Sequence, residues 1–238
     1  FTAGIGGIAV SRSAEVTKNL LQLTSNLPVP SSFQELSLSL QIQLRSIFLT
    51  PSNYNRILKI YRFLTLNGFL TGSNEGQEVT GTMVPDNYLM GMGKTQAREG
   101  LKGLRSVGEN VKHRKEIAAL YRTELTSMGF HLPYDKIESG ITFLKYPVFV
   151  RDRKRITELA LQHGIEISDW FATPLYPVEG DLTPWGFDPK VCPVSVALSR
   201  HIINLPTHQK IDDQQVDKTI SFIRNYRNLF FSSPNECL

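Results

Sequence analysis

Apolar residues recur along the chain either at helical spacing or in short runs of strand character, and the order of these stretches outlines its organisation. Ile8-Ala9-Val10, behind Gly4, Gly6 and Gly7 and ahead of Ser11-Arg12-Ser13, predicts a short buried strand. Val16, Leu20, Leu21 and Leu23 then follow a helical period that ends at Pro28 and Pro30. The next segment fits two periods. Leu36, Leu38, Leu40, Ile42 and Leu44 alternate as in a strand, while Leu36, Leu40, Leu44, Ile47 and Phe48 form a helical stripe; helix is the preferred reading. After Pro51-Ser52-Asn53, the residues Ile57, Leu58, Ile60, Tyr61, Phe63 and Leu64 alternate with Arg56, Lys59 and Arg62, so 33–70 reads as a basic amphipathic hairpin. The polar, Gly-rich stretch that follows reads as an exposed loop.

From Lys94 a long helical region is predicted, with Ala97, Leu101, Leu104, Val107, Val111, Ile117, Leu120 and Tyr121 as one apolar face and Gly129 as its stop. Gly100, Gly103 and Gly108 imply a bend or a close helix contact. Strand and helix alternate beyond it. ITFLKYPVFV predicts a strand, RDRKRITELALQHG a helix stopped at Gly164, IEIS a strand entering a Pro-punctuated loop, CPVSVALSRHI a short helix and INLP a short strand. The last helix, IDDQQVDKTISFIRNYRNLFF, begins acidic and ends basic, as the helix dipole favours. Residues from about Ile141 are expected to form a separately stable α+β unit.

Composition narrows the class. A chain of 238 residues, 41% hydrophobic and 20% charged, has the make-up of a globular domain with a sizeable core. A net charge of +4, scattered along the chain, gives no basic patch for nucleic acid. Cys192 and Cys237 are too few and too far apart for a disulfide framework, which favours a reducing cytoplasm. His113, His131, His163, His201 and His208 fall in separate segments without metal-ligand spacing, and no apolar run reaches the length of a membrane span.

Three stretches, in order, carry a resemblance. The first is NYLMGMGKTQAREGLKGLRSVGENVKHRKEIAALYRTEL, with Met92, Gln96-Ala97, Arg114 and Tyr121 to Leu125; the second is GIEISDWFATPLYPVEGDLTPWGF; the third is INLPTHQKIDDQQVDKTISFI. Together, from about Val84 to Tyr226, they resemble the sugar aminotransferases of the DegT/DnrJ/StrS family, pyridoxal-phosphate enzymes of the aspartate aminotransferase fold. The resemblance implies an α/β protein, the C-terminal part of a fold type I enzyme. Residues 1–92 would be a remnant of the large cofactor-binding domain with its sheet and the 33–70 insertion, 93–129 a long connecting helix, and 130–238 a small α+β domain. In that family the pyridoxal lysine precedes a Gly-Gly pair and a strand, the pattern of Gly6-Gly7-Ile8-Ala9-Val10, so it is expected just before Phe1. None of Lys18, Lys94 or Lys145 matches its position, so no catalytic residue is assigned within the chain and the chain alone is expected to be inactive.

The implied reaction moves an amino group, usually from glutamate, onto a nucleotide-linked keto-sugar, in a cytoplasmic homodimer making amino sugars for surface polysaccharide or glycoconjugate. Asn87 is the candidate cofactor-phosphate contact; the family's Asn-Tyr-Arg-Met run is imperfect here, since the Arg is missing and Met92 stands downstream, and a turn role beside Pro85-Asp86 stays open. Trp170 and Tyr176 are the substrate-binding candidates, Tyr176 standing where the family often has His; a core role competes for both, and Phe171 reads as core. Trp185 is a further candidate for the rim of the same cleft. Arg151, Arg153, Lys154 and Arg155 read as a solvated helix start, with contact to a nucleotide diphosphate the alternative. Two other readings compete. One is a non-catalytic dimerisation partner that keeps the small domain, and the other gives 33–70 a peripheral membrane contact.

Overall fold

The computed structural model describes residues 7–48, 50, 53–66, 81–82, 89–132 and 140–238. They fall into two compact units, Phe1–Leu49 with Tyr61–Val107 and Thr50–Ile60 with Gly108–Leu238. Among the described residues no helix is long and apolar enough to cross a membrane.

The first unit is helical. Helix α1 (Ala14–Thr24) starts at Ser13, whose Oγ accepts the Val16 N–H at 3.4 Å. Helix α2 (Ser32–Phe48) starts in a reciprocal cap: Ser31 Oγ accepts the Gln34 N–H, and Gln34 Oε1 accepts the Ser31 N–H at 2.8 Å. Helix α3 (Tyr54–Leu66) crosses the boundary between the units. Helix α4 (Lys94–Arg105) receives its cap from α2, because Glu35 Oε2 accepts the Thr95 N–H at 2.8 Å. Gly93 is the residue that permits this approach, since a Cβ there would overlap the Glu35 carboxylate. The helical reading of 33–48 therefore holds over the strand reading.

Two expectations in this part of the chain fail. Ile8-Ala9-Val10 forms no strand; Ile8 and Val10 are exposed, and no described strand lies in register beside them. Three apolar residues without a neighbour have no ladder to hold them extended. The long helix after Lys94 is two helices, α4 and α5 (Val107–Ser127), separated at Ser106, whose N–H turns back to Gly103 O. Its apolar face holds at Ile117 and Tyr121 and fails at others. Leu101, Leu104 and Leu120 are exposed, while α4 buries Thr95, Gly100 and Gly103 and α5 buries Asn110, Arg114, Ile117, Ala118, Tyr121 and Leu125.

The second unit holds the core. Strands β1 (Lys145–Phe149) and β2 (Ile202–Pro206) pair antiparallel, with Lys145 opposite Pro206, Pro147 opposite Asn204 and Phe149 opposite Ile202. Helix α6 (Arg153–His163) is capped by Asp152, which accepts the Arg155 N–H at 2.9 Å, and stops at Gly164 in the left-handed region, φ 63°. Helix α7 (Pro193–His201) leads directly into β2, and α8 (Asp213–Asn225) is capped by Asp212. Val216, Thr219, Ile220 and Ile223 of α8 join Tyr121 and Leu125 of α5, Tyr146 and Val148 of β1, Ile156 of α6 and Ile203 and Leu205 of β2 in one buried cluster. The predicted strand at IEIS contracts to one bridge, Ser168 with Asn204. Among the described residues this unit combines helices with a small two-stranded sheet.

Burial sorts the leucines and isoleucines by cost. Ile203→Ala removes a side chain at 1% exposure and is expected to lower stability by about 2–5 kcal/mol, whereas Leu101→Ala, at 60% exposure, stays within about 0.5 kcal/mol. Urea unfolding checks this; equal midpoints for the two variants would place Leu101 in a core it does not enter here.

Candidate functional site

The site is built outward from β2. Asn204 directs both backbone groups toward Ser168: its N–H donates to Ser168 O at 2.9 Å and its carbonyl accepts the Ser168 N–H at 3.0 Å. On the other side of β2 its register partner is Pro147, and at this non-hydrogen-bonded position proline lacks nothing the ladder uses. The Asn204 side chain completes the junction by donating from Nδ2 to Trp170 O at 2.8 Å. Asn204 is almost wholly buried, so these bonds are shielded from water.

The loop pinned in this way carries three aromatics. Ring centroids lie 6.5 Å apart for Trp170 and Tyr176, 6.2 Å for Trp170 and Phe171, and 6.3 Å for Phe171 and Tyr176. Trp170 and Phe171 are exposed and Tyr176 is half-buried, so the three form a shelf at the surface. Phe171 is not core, contrary to expectation: it is 55% exposed and adopts φ 67°, a left-handed backbone that a bulky residue rarely takes. Arg153 braces the far side of the loop, donating to Ser199 O at 2.5 Å and to Ala172 O at 3.5 Å. Arg151 packs its guanidinium over Phe231 and pairs with Glu236, so two members of the basic run are held by the protein.

Lys145 connects the shelf to a polar knot. Its Nζ lies 5.2 Å from the centre of the Trp170 ring, within reach of a cation–π attraction. Burial depresses its pKa, as does the nearby Arg114 guanidinium; Glu166 and Asp169 oppose the shift. Arg114, on α5, donates to Asn110 Oδ1 at 2.7 Å, to Leu144 O at 2.8 Å and to Thr207 Oγ1 at 2.9 Å, tying the helix to the start of β1 and the exit of β2. Thr207 in turn donates to Phe143 O at 2.7 Å. The buried Glu166 carboxylate accepts from His208 Nε2 at 2.9 Å, and His113 Nε2 donates to His208 O at 3.1 Å.

The residues of this site match a known pattern. The family model of the DegT/DnrJ/EryC1/StrS aminotransferases matches residues 52–224, more than half of the chain and all of the shelf and its supports. The chain belongs to that family. A search of curated proteins finds no relative that matches it. The family's activity is amino transfer, on sugars in general, and its members generally use pyridoxal phosphate.

Among the described residues no site for that cofactor is assembled. Asn87 lies outside the described residues, and Lys145 is packed over an indole beside another cation instead of facing a cavity. An open groove of about 510 Å³ between α5 and the start of α8 is lined by Glu116, Asp212 and Asp213, whose charges repel a phosphate. No described residue is therefore assigned to the cofactor, and no step is routed through it.

Trp170 and Tyr176 were reached from sequence, and the structure brings them together; Trp185 stands on a separate short turn, Thr183–Trp185. Arg153, read as part of a solvated helix start with a nucleotide diphosphate contact as the alternative, instead donates to backbone carbonyls, and Asn204 and Lys145 were not singled out for this site. One signal was available for Asn204, an amide inside the apolar run IINLP, where an uncapped polar group needs partners.

Lys145 gives a pH test. At pH below its depressed folded value, lysine is charged both folded and unfolded, and its desolvation weakens the fold; as pH rises toward 10.5 the folded form sheds its proton first and that penalty is relieved. The stability difference between wild type and Lys145→Met should therefore move in favour of wild type as pH climbs toward 10.5. Tyr121, whose phenol is pushed up by burial, is common to both proteins and cancels. Urea midpoints across this range check it, and a constant difference would contradict the burial of the ammonium.

Proposed function

We propose that the protein transfers an amino group from a donor such as glutamate to a nucleotide-linked keto-sugar, as a pyridoxal-phosphate enzyme of fold type I making amino sugars for surface polysaccharide or glycoconjugate. The observation that carries the sugar-nucleotide reading is the surface shelf of Trp170 and Tyr176, whose ring centroids lie 6.5 Å apart. A sugar or nucleobase presents flat apolar faces with hydroxyl and carbonyl edges; the shelf offers rings and a phenol in one place. Phe171 supports the same reading, because an aromatic held outward on a left-handed backbone costs about 1–3 kcal/mol that folding alone does not return.

In this reading Trp170 stacks against the ligand and the Tyr176 hydroxyl donates to a sugar or base oxygen, while Lys145 packs against the Trp170 ring and helps to hold it. Asn204 and Arg153 hold the loop in place without touching the ligand. Lys18, Lys94 and Lys145 are not given the Schiff-base role, so the shelf residues orient the sugar and move no proton.

Transfer of the amino group, followed as 2-oxoglutarate released from glutamate in the presence of nucleotide-linked keto-sugars, tests the reading. Tyr176→Phe should lose about 0.5–1.5 kcal/mol of transition-state binding, roughly 2- to 12-fold in kcat/KM, and Trp170→Ala about 1–3 kcal/mol, largely in KM, both with cofactor loading unchanged. Unchanged kinetics in both variants, with wild type active, would remove the shelf from the sugar site. No transfer to any keto-sugar nucleotide would overturn the substrate class.

A further inference from the structure

The backbone at Trp170 is held through both of its polar groups, and those bonds leave the ring free to turn. Asn204 Nδ2 donates to Trp170 O at 2.8 Å, and Ser168 Oγ accepts the Trp170 N–H at 3.4 Å. Two side-chain torsions remain to decide where the indole points. Phe171 and Tyr176, the rings beside it, belong to the same surface loop. Lys145 approaches from the sheet, with its Nζ 5.2 Å from the centre of the indole.

Lys145 is itself anchored. It is the first residue of β1, opposite Pro206, and it directly follows Leu144, whose carbonyl accepts from Arg114 Nη1 at 2.8 Å and from Thr207 Oγ1 at 3.0 Å. Three charged groups act on its ammonium: Glu166 from the segment entering the loop, Arg114 from α5 and Asp169 from the loop. The Glu166 side chain is 3% exposed, and His208 Nε2 donates to its carboxylate at 2.9 Å. A carboxylate so placed favours the charged form of the amine against its desolvation. The indole face attracts that charged form; a neutral amine keeps the packing and loses the electrostatic pull.

We propose that Lys145 is a positioning residue whose ammonium, favoured by Glu166, orients the Trp170 ring, so that the shelf is fully formed only while Lys145 is charged. Lys145 acts through Trp170 and touches no ligand. The consequence for binding rests on the amino-transfer reading of the shelf, whereas the orientation of the ring does not, so the two are separable. The direction with pH follows from the groups around the amine. Burial and Arg114 bring its pKa below 10.5 while Glu166 and Asp169 raise it, so the ring is held at lower pH and released as pH climbs toward 10.5. Removing the Glu166 charge moves the release to lower pH. The Tyr121 phenol, pushed up by burial, keeps its proton across this range.

Acrylamide quenching of Trp170 reads the ring. The chain has two tryptophans, and the Tyr176 phenol stands beside the one in the shelf, so Trp185→Phe with Tyr176→Phe leaves a single indole and removes a phenolate that would quench it. In this background the quenching constant should rise roughly twofold across the alkaline step, as a ring 37% exposed swings toward solvent. Lys145→Arg, which stays charged, should give low quenching at every pH. Lys145→Met should give the raised value at every pH, with a melting curve to show that it is folded and Lys145→Gln as a second neutral replacement. Glu166→Gln should move the step to lower pH. With Tyr176 restored, UDP-glucose, a stable nucleotide-linked hexose, should bind Lys145→Met roughly 2- to 5-fold more weakly than Lys145→Arg. The proposal is overturned by equal quenching in Lys145→Met and Lys145→Arg near neutral pH, or by a step that persists in Lys145→Arg. It is overturned equally by weaker binding without a change in quenching, which would mean that the charge acts on the ligand directly. If wild type does not bind UDP-glucose at all, the ligand reading of the shelf fails, and the quenching still decides the role of Lys145.

Discussion

The candidate site depends on one buried amide. Asn204 sits where β2 has β1 on one side and a single bridging residue, Ser168, on the other, and its side chain reaches past that bridge to the carbonyl of Trp170. A loop carrying three aromatics gains little from burying them, because two of the three remain exposed. What holds the loop is polar. A hydrogen bond of this kind is modest in water, but inside a core its loss leaves an orphaned group that costs about 1–3 kcal/mol, so the loop and the sheet are specified together.

The second unit spreads the same logic over a wider knot. Arg114 fixes α5 to both strands through Leu144 and Thr207, and Lys145 follows Leu144 directly onto β1, where it reaches Trp170. The shelf is thus an extension of the core's polar framework, which is the arrangement expected of a surface that must hold a polar ligand in one orientation. The first unit is organised differently. There the Glu35 carboxylate caps a neighbouring helix, while α2 turns its leucines outward.

Much of the second unit was legible in the sequence because its signals are local. Asp152 and Gly164 bracket α6, Asp212 opens α8, and INLP is a strand by composition. Trp170 and Tyr176 were picked out through a family pattern and not through periodicity, which says nothing about which aromatics stay at the surface; the structure places their rings together. Phe171 shows the limit: hydrophobicity put it in the core, and a left-handed backbone turned it out. The strand at 8–10 was misread for a related reason, since strand character is realised only when a partner supplies the ladder. IEIS has its partner at one residue only, because Asn204 pairs with Ser168 while the rest of that segment enters the loop. The apolar face drawn from Ala97 to Tyr121 runs across the break at Ser106, which resets the helical phase: Ile117 and Tyr121 stay on the buried face, joined by Asn110 and Arg114, while Leu101 and Leu104 face out.

Amide hydrogen exchange across the loop measures the junction directly. The N–H groups of Ser168, Ala172, Tyr176 and Val178 are all hydrogen-bonded, the first to Asn204 and the others within the loop. In Asn204→Ala, protection should fall at all four while the ladder residues Tyr146, Val148, Ile203 and Leu205 stay protected, because the backbone pairing of β1 and β2 does not need the side-chain amide. Loop protection that is unchanged by the substitution, or that is lost only together with the ladder, would contradict the role given to Asn204.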